Sequence, residues 1–271
     1  MATATLIVNP HASRVTEERI AEVEARLRPV QTLRTERKGH ATELAREAAG
    51  DEVWVLGGDG VVNEVLNGLR PGVDLGVVPA GHTNVLARVI RSRRRISLGR
   101  VNGRRFAFSA GIGVDSDVVR EMETVKRAHD GRRPGDLAYA RAVAGRLARG
   151  YAPRLEVRGL GRAAIVFVSN HAVFTYVGPV PLRVAPAARF ELGLDVVAPE
   201  RIGAGSLGRL LPRLALGRGL AGARGVLSGH DLDRIEIMCD VPLPLQVDGE
   251  DLGDVREAVF EAERDAVTVL V

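Results

Sequence analysis

Two short stretches carry residues suited to phosphate chemistry. The first is Gly57-Gly58-Asp59-Gly60, which joins an apolar run, Val53 to Leu56, to an amphipathic one. Glycines there let the backbone take φ > 0 and come close to a ligand. A helix starting at this turn offers N–H groups and a partial positive charge to phosphate oxygens. Asp59 adds a carboxylate to the anion site, which makes sense beside Mg²⁺ or a proton-bearing hydroxyl. The other reading is a tight connection whose aspartate caps the helix; Asn63-Glu64 immediately downstream favours the ligand. The second stretch is Asp248-Gly249-Glu250. Two carboxylates around a glycine supply one group to accept a proton and one to hold water or metal. Asp-Gly is also a common hairpin turn, so the triplet alone does not decide.

The elements that must position these residues follow from periodicity. Thr5 to Val8 predicts a strand ending at Asn9-Pro10, a turn signal. Thr16 precedes Glu17 and Glu18, with Ile20, Val23 and Leu27 on one helical face. Strands are expected near Gln31 to Arg34, Val53 to Leu56 and Leu75 to Val78, alternating with helices from about His40 to Ala49, after Gly60 and after Gly81. Val62, Val65, Leu66 and Leu69 keep the helical spacing behind the glycine turn. Such βα alternation predicts a doubly wound parallel sheet binding ligands at its strand C-termini. Beyond Arg93-Arg94-Arg95 the pattern turns strand-rich, with candidates at Leu155 to Arg158, Ala164 to Val168, Leu194 to Ala198, Ile235 to Cys239, Leu243 to Val247, Ala258 to Glu261 and Val267 to Val271. Helices are expected at about Ser116 to Arg127 and Asp136 to Arg149. The division is thus an α/β domain over 1–95 and a β-rich domain over 96–257, with the tail 258–271 expected to pack back on the first.

Composition narrows the partners. Aromatic residues make up 4% of 271, too few for the stacking platforms of a single-strand nucleic-acid binder, so no nucleic acid is expected. The net charge of +4 suits nucleotide phosphates or an anionic membrane surface, and equally an ordinary Arg-rich solvated surface. Cys239 is the one cysteine, which fits a reducing, cytoplasmic setting. Ala2 to Pro10 reads as a strand and turn and not as an export leader. The longest uncharged stretch, Ala163 to Leu182, contains Ser169, Asn170, His171 and two prolines, and reads as strands and a loop. Membrane contact is therefore expected to be peripheral. The acid-free stretch Gly203 to Gly225, with Arg209, Arg213, Arg218 and Arg224 among leucines, reads as an amphipathic helix that rests on anionic lipid or simply faces water. A homodimer is left open by the sequence.

With Asn63 and Glu64 behind it, Gly57 to Gly60 resembles the Gly-Gly-Asp-Gly-Thr-x-Asn-Glu motif of the diacylglycerol kinase catalytic domain family, which includes bacterial lipid kinases and sphingosine kinases. Asn9-Pro10-His11-Ala12-Ser13 is similar to that family's opening nucleotide turn, and Thr35 with Gly39-His40-Ala41 to its second nucleotide-contacting segment. Leu75 to Arg88 resembles its Pro-x-Gly-Thr-x-Asn-Asp element, Phe108 to Asp115 its Gly-x-Gly-x-Asp stretch, and Gln246 to Glu250 its late Asp-Gly-Glu motif. The resemblance implies an α/β nucleotide domain and a β-sandwich-like domain with the active site between them. It implies ATP, with Mg²⁺, at Asn9, Pro10, Ser13, Thr35, Gly57, Gly58, Asp59, Gly60, Asn63, Glu64, Gly81, His82, Thr83 and Asn84. It implies that Glu250, paired with Asp248, deprotonates a lipid hydroxyl for attack on the γ-phosphoryl group, with Asp59 in the same machinery. A kinase of a soluble acceptor such as NAD, or a non-catalytic nucleotide- or lipid-binding regulator, are the alternatives.

The motif is broken in three places. Val61 stands where the family has threonine, and His82 does so in the next loop, with Thr83 one place later. The acidic stretch that holds a structural Mg²⁺ in family members is represented by Glu191 and Asp195, with Asp115 upstream. Hard cations prefer several oxygen ligands, so this set is thin. Trp54 and Cys239 read as core packing.

Overall fold

The computed structural model describes residues 3–113, 150, 152–177 and 179–271. Within these the chain forms two compact units, one of residues 1–98, 104–107 and 263–271 and one of residues 99–103 and 108–262. Both expected helices between Ser116 and Arg149, and Asp115, lie outside the described residues.

In the first unit β1 (Ala4–Val8), β2 (Gln31–Arg34), β3 (Glu52–Gly57) and β4 (Asp74–Pro79) alternate with α1 (Glu17–Leu27), α2 (His40–Glu47), α3 (Asp59–Gly68) and α4 (Val85–Val89). The pairings β2–β1, β1–β3 and β3–β4 are all parallel. The end of the chain adds another parallel strand, Val269 and Leu270 lying beside Leu75 and Gly76 of β4. β1 thus has β2 on one side and β3 on the other, so the winding direction reverses between β1 and β3. That topological switch opens a crevice at the strand C-termini, where Asn9 and the glycine turn begin. Thr16 caps α1 by accepting from the Arg19 N–H at 3.2 Å, and Ile20 and Val23 bury against Leu6, Val8, Leu56 and Val78. On α3 the buried Val62, Val65 and Leu66 follow the spacing read from sequence.

One close approach was not legible as a motif. Gly76 pairs with Trp54 in the register of β3 and β4, and a Cβ on Gly76 would lie 2.0 Å from the Trp54 indole Cδ2. The indole is held by its N–H donating to Glu52 Oε2 at 2.7 Å. Gly76→Ala is therefore expected to destabilise the fold by about 1–3 kcal/mol, the cost of overpacking a well-filled site. Equilibrium denaturation checks this, and pairing it with Trp54→Leu should recover part of the loss.

The second unit is strand-rich and antiparallel. It contains β7 (Ser109–Ile112), β8 (Leu155–Val157), β9 (Gly161–Ala163), β10 (Val166–Ser169), β11 (Val173–Val177), β12 (Val180–Arg183), β13 (Leu194–Pro199), β14 (Val226–Leu232), β15 (Arg234–Val247) and the first part of β16 (Glu250–Leu270). Its main sheet runs β14-β13-β10-β7-β15-β16, and β11 pairs with β12 as a separate hairpin. A twelve-residue helix, α5 (Ala204–Ala215), falls inside the Arg- and Leu-rich stretch. β5 (Arg94–Val101) and β6 (Arg104–Phe106) connect the units along the chain.

Sequence reading divides β15 and β16 into shorter strands, whereas each is continuous. In β15 the divide fell at Asp240 to Pro242, where Pro242 cannot donate to a ladder; the structure absorbs it in a register shift between Met238 and Leu243, with a second shift between Pro244 and Gln246. In β16 it fell on the charged run around Asp265, which takes φ 49° without ending the strand. β14 was missed because Ser228-Gly229-His230-Asp231 carries little apolar alternation. Cys239 is buried, and burial, with Asp240 adding to it, pushes its thiol up to about 11.

Candidate functional site

The glycine turn follows β3 directly. Gly58 takes the N-cap position of α3 with φ −104° and ψ −178°, and as a glycine it supplies no side-chain cap. Asp59 is the first helical residue, so it is not the cap that a purely structural turn would use. None of Gly57, Gly58, Gly60 or Gly81 has a positive φ, contrary to the expectation for a glycine turn. Their requirement is space. A Cβ on Gly57 would lie 2.2 Å from Val61 Cγ1, and one on Gly81 would lie 2.7 Å from the Gly58 Cα. The turns after β3 and β4 therefore meet backbone to backbone. Gly60 is different, since a Cβ there would meet no protein atom within 4 Å.

The neighbouring loops are tied to this turn. Ala80 N–H donates to Gly57 O at 2.7 Å, and Asn9 N–H donates to Leu56 O at 3.1 Å. Asn9 Oδ1 accepts from His11 N–H at 3.0 Å, which shapes the Asn-Pro turn, and Arg14 N–H reaches Ala80 O at 3.2 Å. Asn84 folds the loop after β4: its Oδ1 accepts from Gly81 N–H at 2.9 Å and its Nδ2 donates to Gly81 O at 2.7 Å. Ser13 Oγ and His82 Nδ1 are 2.9 Å apart, so the residue in the threonine place is hydrogen-bonded to the opening turn. Thr35 is buried and its N–H donates to Val8 O at 2.9 Å. The structure thus gathers Asn9, Ser13, Gly57, Gly58, Gly81, His82 and Asn84 into one set of connected loops, with Pro10 and Thr83 in the same turns.

Two residues of the motif face elsewhere. Asn63 is 2% exposed; its Oδ1 accepts from Arg104 at 3.0 Å and its Nδ2 donates to Arg105 O at 3.2 Å. Glu64 Oε2 accepts from Ala41 N–H at 3.2 Å in the first turn of α2, where an acid complements the helix dipole. Asn63 and Glu64 therefore hold β6 and α2 against α3. Arg105, which no motif marks, donates to Glu263 Oε2 at 2.6 Å and to Leu66 O at 3.2 Å. Long-range partners of this kind leave no local signal.

In the second unit Asp248 and Gly249 form the two-residue loop between β15 and β16, with φ 49° and 82°. Positive values at both positions mark a type I′ hairpin, the alternative the triplet left open. The aspartate also has a tertiary role: Asp248 Oδ1 accepts from the N–H groups of Phe108 and Ser109, both at 3.0 Å, and buried Gln246 holds Gly249 N–H at 3.0 Å. Glu250 is half-buried at the start of β16.

The thin metal set stays thin. Asp195 is buried, and its Oδ1 takes His230 Nδ1 at 2.8 Å and Asp231 N–H at 3.1 Å; Glu191 is exposed. Among the described residues no group of three His, Cys, Asp or Glu side chains is placed to hold a metal ion. Glu191 and Asp195 do not by themselves fit a resident Mg²⁺, and the third member of the set, Asp115, is outside the described residues. His171 is stacked on Phe190 at 4.4 Å, in keeping with a structural role.

Fold and loops together define an α/β protein with a glycine turn at the switch point of a parallel sheet. Residues 3–128 match the family model of the diacylglycerol kinase catalytic domain. The chain is 34% identical over 171 residues to the diacylglycerol kinase of Bacillus subtilis (strain 168), covering 51% of this chain and 54% of that protein. It is 41% identical over 69 residues to sphingoid long-chain bases kinase 1 of Arabidopsis thaliana, covering 21% of this chain and 9% of that one. The match thus spans about half the length of the first relative and far less of the second. The fold is similar to a crystal structure of a diacylglycerol kinase from Bacillus anthracis str. Sterne, with TM-score 0.73, 19% identity, and coverage of 99% of this chain and 96% of the other. Among the described residues no helix is long and apolar enough to cross a membrane.

Proposed function

We propose that this chain is an ATP-dependent lipid kinase that transfers the γ-phosphoryl group of ATP to the hydroxyl of a diacylglycerol-like or sphingoid acceptor. The observation that carries the reading is the glycine N-cap of α3 packed against the Gly81 backbone, at the sheet's switch point. Phosphoryl transfer asks a protein for positioning, charge neutralisation and an oriented hydroxyl, and for little covalent help. The α3 N–H groups and the loop at Gly81 to Asn84 offer dipoles to the phosphates. With Val61 buried against Gly57, phosphate contacts at the turn rest on backbone N–H groups and Asp59. Mg²⁺ bound with the nucleotide would neutralise phosphate charge. Glu250 is assigned the acceptor proton and Asp248 the placing of Glu250, since its own Oδ1 holds two backbone N–H groups.

The family of the matched region favours a lipid over a soluble acceptor. The test offers Mg²⁺-ATP with diacylglycerol, a sphingoid base and NAD in parallel, scored by phosphorylated product. Product from a lipid is expected. Product from NAD alone would move the assignment to a soluble acceptor, and ATP binding without product from any acceptor would leave a regulator.

A further inference from the structure

A second feature of the chain is the distribution of its acids. His171–Phe190 and Arg201–His230 contain no Asp or Glu, although the chain has 34, and together they carry seven arginines. The fold packs these two segments on one another. Phe174, Val184, Ala185 and Ala188 of the first share a buried cluster with Leu210 and Leu220 of the second. Leu220 N–H donates to Val184 O at 2.8 Å, and a Cβ on Gly219 would lie 2.2 Å from Pro186 Cδ. One of the arginines is structural: Arg213 holds the loop after α5 through Gly219 O at 3.1 Å and Ala221 O at 3.2 Å. Arg189, Arg201, Arg209, Arg218 and Arg224 are exposed.

The same segments expose large apolar side chains. Val180 at the start of β12 is 61% exposed, Leu211 on α5 52% and Leu216 just past α5 66%. α5 already buries Leu210 and packs Leu214 against the cluster, so Leu211 and Leu216 are apolar groups the core does not use. Arginines interspersed with exposed leucine and valine, in segments free of acids and bordered by the exposed Glu191 and Glu200, match a surface whose outer layer is phosphate and whose interior is hydrocarbon. A soluble polyanion would use the arginines and leave the apolar groups wet.

We propose that α5, the loop to Gly225 and the β11–β12 hairpin form a docking surface for anionic phospholipid bilayers, with the arginines on headgroup phosphates and Val180, Leu211 and Leu216 entering the acyl boundary. This goes beyond the kinase reading: it concerns another surface, and it is tested with no nucleotide or acceptor present. A failed kinase assay therefore leaves it standing, and the reverse holds too.

The experiment is flotation of the full chain with vesicles of phosphatidylcholine and phosphatidylglycerol, against phosphatidylcholine alone, at rising salt. Binding to the anionic vesicles is expected to weaken steeply with salt. Each of Arg209→Ala, Arg218→Ala and Arg224→Ala is expected to weaken it about fivefold, as for a basic group at an anionic surface. Leu211→Ser with Leu216→Ser is expected to weaken it as well, with an unchanged thermal melt in every variant. Absence of binding at low salt, equal binding to neutral vesicles, or full binding by the triple arginine variant overturns the proposal. Binding that duplex DNA competes away while the leucine variants are unaffected also overturns it, in favour of a polyanion surface.

Discussion

Glu250→Gln is expected to lower kcat for phosphoryl transfer by about 10²–10⁴-fold, the usual contribution of a positioned general base, while ATP binding and the melting temperature stay near wild type. Glutamine keeps the size and reach of glutamate but is neutral, carries an NH2 donor in place of one oxygen, and cannot take the proton. Glu250 is half-buried at the first position of a hairpin strand, so an isosteric change there has little packing to disturb. Asp248→Ala should behave differently. It removes the acceptor for Phe108 and Ser109 N–H and leaves two buried-side donors without their partner, at about 1–3 kcal/mol each where they stay unsatisfied. Activity and stability are then expected to fall together. Single-turnover kinetics beside thermal denaturation separate the two carboxylates. Should Glu250→Gln turn over at the wild-type rate, the base assignment is wrong, whatever the fate of Asp248.

How far the molecule could be read in advance differs between its units for a physical reason. In the first unit, elements and turns are local: Thr16 caps its own helix, and Val62, Val65 and Leu66 mark their own buried face. The glycine turn was legible because a local run, Gly57 to Gly60 with Asn63-Glu64 behind it, suffices to suggest a phosphate. What stayed hidden depends on partners far along the chain. Gly76 matters because Trp54 lies in the facing register, and Asn63 because Arg104 and Arg105 come back to it. Even Gly57 and Gly81 were read for a wrong cause, since neither has a positive φ and their close packing is the constraint. In the second unit antiparallel pairing tolerates irregular strands, so Pro242 and Asp265 looked like breaks and lie within longer strands. The hairpin at Asp248-Gly249 was visible; that the aspartate also holds the backbone before β7 was not.

Gly60 and Gly81 offer a contrast: stability and nucleotide use should fall together at Gly81 and move in opposite directions at Gly60. At Gly81 a Cβ meets the Gly58 Cα at 2.7 Å and Asn84 Oδ1 at 3.0 Å, contacts that only a shift of the two turns can relieve. Gly81→Ala is therefore expected to lower both the melting temperature and kcat/KM for ATP, the latter by about 100-fold if the loops move by an ångström. At Gly60 a Cβ has open space, and the residue sits within the first turn of α3. Protein packing alone would favour alanine there, by about 0.5–1 kcal/mol through the lower entropy of the unfolded chain. If the space above Gly60 belongs to a nucleotide phosphate, Gly60→Ala should raise the melting temperature of the apo protein and weaken ATP binding at once. Calorimetric titration with ATP and a thermal melt without it read the two effects separately. A Gly60→Ala protein that binds ATP as the wild type does would remove the phosphate from that space, and with it the physical basis for the glycine at this position.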